Sequence, residues 1–261
     1  MIRDVLAAMA GQSLAPLDYP RSAEELLGVA PVSPSVPAED TVLGSGPCSD
    51  LPTFRTLRFT KELTERLITA SRKEQTTVHG ALAAATALAM RLLSPRFLRE
   101  PVRVISPVNV RSVLGVVDDC GMYFASPKTV FDPAQPRDFW EMARDARQNI
   151  VNGSTRESLV AAAVGMQTMT ATGLTKAAAA EALKHAFAFD VLLTNLGQTP
   201  YESTFGGLRL ESMWSSVLSG ETAQTIGVTT TNGTLCLALT ARAPVDMLLE
   251  TVQRVIVDKC A

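Results

Sequence analysis

The chain holds two histidines, and they bound its acid–base chemistry. His79 sits in Thr-Thr-Val-His-Gly-Ala-Leu, within the first turn of an expected helix. The positive end of a helix dipole disfavours imidazolium, so His79 could act as a neutral base or as a polar contact. No second partner stands beside it in sequence, and a partly buried ring with one hydrogen bond is the simpler account. His185 precedes a buried strand on an Ala-rich segment, which favours a structural role more strongly. Asp118-Asp119 offers two carboxylates, but adjacent side chains rarely converge on one substrate atom, so a solvated loop explains them. Asn109 and Arg111 lie in Ser-Pro-Val-Asn-Val-Arg just after a strand, where a loop can orient a ligand. The competing account has Arg111 pinning that loop through Asp118 or Asp119. Asn195-Leu196-Gly197 follows a buried strand in the same way, and an Asn before a Gly often serves the turn itself.

Several familiar chemistries are absent. Cys48, Cys120, Cys236 and Cys260 have no C-x-x-C spacing, which removes zinc and thioredoxin-like readings. Two carboxylates alone make no metal site, so no metal is expected. There is no G-x-S-x-G elbow, no G-x-G-x-x-G and no G-x-x-x-x-G-K-[ST], so hydrolase, dinucleotide and P-loop signatures fail. The Gly44-Ser45-Gly46 triplet lies among prolines and reads as linker.

The elements that position these residues follow from periodicity. Ile2, Val5, Leu6 and Met9 repeat at helical spacing, with Gly11 as a stop. Pro31, Pro34, Pro37, Pro47 and Pro52 mark an extended arm. A strand is expected at Thr56–Phe59. Thr60 then caps a helix to about Lys73, with Glu62 and Glu65 in its first turn. Thr76 or Thr77 caps an Ala-rich helix to about Leu93. Further strands are expected at 102–106 and 123–130, the latter broken at Pro127, with residues 107–119 as a loop between them. A helix over 137–151 carries Phe139, Met142, Ala143 and Ala146 on one face. Residues 155–186 read as helical with a break at Gly173, and 190–194 as a buried strand. Gly206-Gly207 turns into a strand over 208–214. Thr225–Thr231 and Thr234–Thr240 flank Asn232-Gly233, a type I′ hairpin signal. Pro244 opens a last amphipathic helix. The expected fold class is α/β of the α+β type, a mixed β-sheet flanked by helices, with an arm over 1–54 and a lobe over 55–261.

Composition agrees with a folded lobe. Of 261 residues, 46% are hydrophobic and 19% charged, which excludes wholesale disorder. At roughly 100 to 200 residues per domain, this is one large domain or two small ones. Lys+Arg is 24 against Asp+Glu 26, a net charge of -2 with no electrostatic footprint for nucleic acid. No apolar run reaches the roughly 18 residues a membrane span needs, and no signal peptide is visible. Sparse unpaired cysteine fits a reducing cytoplasm.

Three segments in order resemble one superfamily. Thr-Thr-Val-His-Gly-Ala-Leu-Ala-Ala-Ala (76–85) resembles a helix start in the C-terminal half of CoA-dependent acyltransferases. These include alcohol O-acetyltransferases, polyketide-associated acyltransferases and nonribosomal peptide condensation domains, with chloramphenicol acetyltransferase-like lobes. Ser-Pro-Val-Asn-Val-Arg (106–111), followed by Cys-Gly-Met-Tyr-Phe-Ala (120–125), is similar to their P-V-x-x-R and glycine-bearing stretch. Leu-Leu-Thr-Asn-Leu-Gly (192–197) is similar to the S-N-L-G that ends a core strand in the alcohol acetyltransferase branch. The resemblance spans about 55–260, and Met1–Gly11 resembles the helix that follows the family's active-site motif.

The resemblance implies a two-lobed enzyme whose general base is the histidine of H-x-x-x-D in the N-terminal half. That motif is absent here: position four after His79 is Ala83, and after His185 it is Phe189. The chain is therefore expected to be the C-terminal half of an acyltransferase, with no catalytic residue of its own and inactive alone. It would be completed by a lobe bearing H-x-x-x-D or by self-association. Acyl-CoA or an acyl carrier protein thioester would be the donor. His79, Asn109, Arg111, Asn195 and Gly197 are its candidate substrate-binding residues. Two rivals accompany this reading: a non-catalytic module of the same fold docking a carrier protein or synthase, and an unrelated enzyme pairing His79 with Asp119.

Overall fold

In the computed structural model, the described residues are 2–9, 11–14, 16, 18–30, 51–117, 119–171, 178, 181, 188–199, 203–205, 207–218 and 223–261. His185, Asp118, Cys48, the arm's prolines up to Pro47, the Gly-Ser-Gly triplet, Gly206 and the expected break at Gly173 lie outside them.

Local hydrogen bonds set most element starts. Helix α1 (Ile2–Met9) is followed by Gly11 at φ 77°. Ser22 accepts from Glu25 N and opens α2 (Ala23–Leu27), which Gly28 closes at φ 74°. Strand β1 (Thr53–Arg58) leads to Thr60, whose side chain accepts from Leu63 N to start α3 (Lys61–Lys73). Thr77 does the same for Gly80 N at the start of α4 (Val78–Leu93). A Thr hydroxyl satisfies one of the amides that a helix start leaves open. A 3₁₀ turn (Pro95–Leu98) and β2 (Val102–Ile105) follow.

The stretch 107–119, expected as a loop, contains β3 (Val108–Asn109) and a short α5 (Arg111–Leu114). The broken strand after it is β4 (Phe124–Ala125) and β5 (Lys128–Phe131). A reciprocal capping box between Asp138 and Glu141 opens α6 (Phe139–Gly153), which buries Phe139, Met142, Ala143 and Ala146, the face expected from periodicity. Helix α7 covers Arg156–Ala171 and β6 covers Val191–Gln198. Strands β7 (Thr204–Phe205) and β8 (Leu208–Arg209) form a ribbon. Asn232 (φ 51°) and Gly233 (φ 74°) join β9 (Gln224–Thr231) to β10 (Thr234–Ala241), as their sequence demands. The last helix, α8 (Leu248–Lys259), starts beyond Pro244 because Met247 takes a left-handed conformation at its N-cap.

The main sheet runs β1-β10-β9-β6-β2-β5 and is mixed: β9, β6 and β2 are parallel neighbours, and the remaining pairs are antiparallel. Helix α4 is the central layer, buried from Gly80 through Ala87 and packed against α6, α8 and β2. Its alanines allow close approach. At Gly80 a Cβ would lie 2.5 Å from the Ala143 carbonyl oxygen of α6, so that crossing requires glycine.

The strand expected over 208–214 stops at Arg209. Beyond it the chain crosses the hairpin face instead of pairing edge to edge. Leu210 O accepts from Asn232 Nδ2 (2.7 Å), Met213 O accepts from the Thr229 hydroxyl, and the Ser216 and Thr240 hydroxyls lie 2.9 Å apart. Gly227 permits the crossing, since a Cβ there would sit 2.0 Å from the Ser215 carbonyl oxygen. This crossing segment covers the threonine face of the hairpin, and both strands are buried almost throughout. No single described helix is long and apolar enough to cross a membrane.

Candidate functional site

The carboxyl ends of β2, β6 and β9 lie along one edge of the sheet, because the three strands are parallel. In open sheets of this kind ligands bind beyond the carboxyl ends of parallel strands. Strand β6 breaks its register with β9 between Asn195 and Gln198. Asn195 Oδ1 accepts from Gly197 N at 2.8 Å, and Gly197 stands at φ 72°, a conformation that favours glycine. Pairing resumes with Thr199 N donating to Thr230 O (2.8 Å). Bulges of this kind often sit beside functional sites, where they re-aim a side chain.

A cleft of about 330 Å³ opens at this bulge. Asn195, Gly197, Gln198 and Thr230 form one wall; Ser71 and Arg72 at the end of α3, with Thr76, Thr77 and Val78 entering α4, form the other. Ser71 Oγ is buried there without a hydrogen-bond partner. Thr76, by contrast, donates its hydroxyl to Ala143 O (2.7 Å) and holds the α4 entrance against α6.

His79 lies next to this wall and turns toward β2. Its Nε2 is 2.8 Å from the hydroxyl of Ser106, the buried residue that follows β2. Burial pushes the His79 pKa down to about 4, so the ring is neutral near pH 7. A base that neutral accepts protons poorly at that pH, because a general base works best with a pKa near the operating pH. Its partner is Ser106 rather than Asp119.

Asn109 and Arg111 belong to a different construction. Asn109 Oδ1 accepts from Arg111 N (3.1 Å) and from Arg111 Nη1 (3.3 Å). Arg111 Nη2 donates to the carbonyls of Asp119 (3.2 Å) and Gly121 (2.8 Å), and its guanidinium lies over the Tyr123 ring at 5.3 Å. The arginine thus pins the loop through backbone carbonyls. It stabilises a small apolar cluster of Val110, Leu114, Val116 and Tyr123, onto which α2 packs. The structure therefore brings Asn195 and Gly197 together at the cleft, sets His79 beside it, and places Asn109 in the β3–β4 ribbon and Arg111 at the start of α5. Sequence reasoning missed Ser71, Ser106 and Gln198. Ser106 carried one signal, its place directly after a strand and before Pro107.

Residues 49–243 match the family described as phthiocerol/phthiodiolone dimycocerosyl transferase C-terminus. No protein of curated function matches the chain in sequence. Among solved structures, polyketide synthase associated protein 5 from Mycobacterium tuberculosis is similar with a TM-score of 0.67 and 17% identity, covering 100% of this chain and 69% of that one. The epimerization domain from the third module of tyrocidine synthetase B is similar at 0.54 and 12%, covering 99% and 63%. TRI101 of F. sporotrichioides, solved with coenzyme A and T-2, is similar at 0.61 and 14%, covering 97% and 60%. The chain thus spans between three fifths and seven tenths of these structures. They share the chloramphenicol acetyltransferase-like and condensation-domain fold, in line with the resemblance carried by 76–85, 106–125 and 192–197. The chain belongs to the family of phthiocerol/phthiodiolone dimycocerosyl transferase C-terminal domains and forms a C-terminal lobe of the acyltransferase and condensation superfamily.

Proposed function

We propose that this chain is the C-terminal lobe of an acyltransferase that moves an acyl group from a CoA or carrier-protein thioester to an alcohol or amine, in the cytoplasm. The observation that carries this reading is the family match over residues 49–243. Coenzyme A in the TRI101 structure supports a thioester donor in general. Within the proposed division into an arm (1–54) and a lobe (55–261), the cleft at the β6 bulge supplies one wall of the substrate path. Asn195 and Gln198 offer amide groups there, Gly197 lets the backbone turn without a side chain in the way, and Ser71 brings an uncommitted hydroxyl. His79 contributes a neutral polar group that holds the α4 entrance to β2, and Asn109 with Arg111 stiffens the neighbouring ribbon.

Proton removal from the acceptor falls to a lobe outside these 261 residues, on a second polypeptide or at the front of the same one. Neither histidine begins an H-x-x-x-D, and the His79 pKa lies well below the range a base needs at neutral pH. The partner would be a lobe bearing H-x-x-x-D, with self-association as the other arrangement. Exposed apolar side chains support a covering partner: Val117 is 81% and Met122 82% exposed on the ribbon segment, and Leu196 is exposed at the bulge.

The test is reconstitution. The purified chain is assayed with acyl-CoA and an alcohol acceptor, alone and after mixing with a separately expressed lobe bearing H-x-x-x-D. Turnover is expected only in the mixture, since loss of a general base alone removes about 10² to 10⁴ in rate. Carrier-protein binding without turnover in either arm would instead support the scaffolding role. Turnover by the chain alone that disappears in His79→Ala would overturn the proposal.

A further inference from the structure

A second polar cavity lies at the far end of α4, about 18 Å from His79 along an axis that rises roughly 1.5 Å per residue. It occupies about 230 Å³ between the edge strand β5, the last turn of α4 and helix α6. Strand β5 breaks the inside–outside rule here. Alternate residues of a strand share a face, and Thr129 and Phe131 face the core while Val130 between them is 52% exposed. A threonine, 2% exposed, therefore fills a core-facing position that valine would fill with the same shape. Its hydroxyl has no hydrogen-bond partner. Local departures from the apolar pattern are expected where a site needs them.

The second group at this cavity is Arg91. Its Nη2 donates to Phe131 O (3.0 Å), which turns the guanidinium toward β5, while its buried Nε has no acceptor. Arg91 enters none of the ion pairs found among the described residues. Both acidic residues at the cavity are engaged: Asp145 pairs with Arg137 (3.2 Å), and Asp132 Oδ1 accepts from Ala134 N (2.9 Å). The cavity thus combines a guanidinium that Asp132 attracts but whose Nε–H has no acceptor, and one free hydroxyl, with Asp145 close by. A buried N–H and a buried hydroxyl without partners call for an acceptor, and charge-assisted bonds to an anion are the strong ones. The neighbouring Asp132 and Asp145 oppose a dianion.

We propose that this cavity binds a small monocarboxylate, whose oxygens accept hydrogen bonds from Arg91 Nε and the Thr129 hydroxyl. The site is independent of acyl transfer at the other end of α4, and failure of the reconstitution would leave it untouched.

The experiment uses the purified chain and acetate as probe, with chloride matching the ionic strength. The Arg91 Nε–Hε resonance, assigned with Arg91→Lys, is followed by NMR beside thermal unfolding. A saturable shift of that resonance and a concentration-dependent rise in Tm are expected. Thr129→Val keeps the shape of the core, so it is expected to fold, to melt at the same or a higher temperature without acetate, and to bind acetate about tenfold more weakly. Arg91→Lys should also weaken binding, since lysine lacks the Nε–H. Absence of a saturable shift would mean that water alone satisfies these groups and would overturn the proposal. Equal acetate binding by Thr129→Val would overturn it as well. Inorganic phosphate binding as tightly as acetate would overturn the monocarboxylate assignment.

Discussion

Asn109 follows β2, Asn195 lies within its parallel neighbour β6, and each folds its Oδ1 back onto the amide two residues ahead: Arg111 N at 3.1 Å and Gly197 N at 2.8 Å. Their surroundings differ. Asn195 sits in a register break of the main sheet, opposite the entrance to α4, and lines a cleft. Asn109 is exposed on a two-stranded ribbon, and its neighbour Arg111 is committed to two carbonyls and a tyrosine ring. The same local device lines a cleft in one place and anchors a loop in the other. What separates them is the element across from each: helix α4 faces Asn195, and the 119–123 segment faces Asn109.

The largest effect is expected at the joint between these regions, the His79–Ser106 bond. The folded-state pKa of His79 is lowered from 6.5 to about 4. Above pH 6.5 the ring is neutral in both states and contributes no pH dependence. As pH falls from 6.5 toward 4, the unfolded chain takes up a proton that the folded chain refuses. Stability therefore falls through that window and levels off below it. At about 1.4 kcal/mol per unit, the loss approaches about 3–4 kcal/mol. Denaturant unfolding of the native chain and of His79→Gln across the window checks this, because the variant should lack that component of the slope.

Arg111→Met removes three charge-assisted bonds and the ring contact while keeping an apolar stem. It is expected to cost about 2 kcal/mol. Amide hydrogen exchange should accelerate at Val110 and Tyr123 while the β9–β10 hairpin stays protected. Acceleration spread evenly over the main sheet would contradict the separation of ribbon from cleft.

Gly197→Ala places a Cβ on a residue at φ 72°, with nothing within 4 Å to clash. The cost is backbone strain alone, about 1–2 kcal/mol. In the reconstituted enzyme the same change should lower kcat/KM by more than its stability loss explains, since the bulge shapes the cleft.

Asn109→Ala and Asn195→Ala form the closest pair and carry the smallest expected stability effects, about 1 kcal/mol each for one turn bond. Their stability losses should match, whereas only Asn195→Ala should reduce transfer in the reconstituted enzyme. Equal loss of activity in both would break the contrast between the two regions.

Much of the architecture was legible because its determinants are short-range. Thr60 and Thr77 cap helices by bonding amides three residues on, Asp138 and Glu141 close a box over the same distance, and Asn232-Gly233 dictates its own turn. Helix α2 was overlooked although Ser22 and Gly28 bracket it, because five residues are too few to display a helical period. The strand expected over 208–214 failed for a different reason. Its alternation is real, but its carbonyls and hydroxyls are taken by hairpin side chains, a pairing set by contacts up to 24 residues away.

The sequence by itself determined the caps, the turns and the buried face of α6, since each depends on residue identity within a few positions. It also carried both Asn turns, which are bonds to the second residue ahead. Only the tertiary structure decided which Asn meets a cleft, that His79 is spent on Ser106, and that Arg91 and Thr129 share a cavity. Those outcomes depend on which strand lies beside which and where α4 crosses them, and burial then sets the proton affinity and hydrogen-bonding freedom of each group.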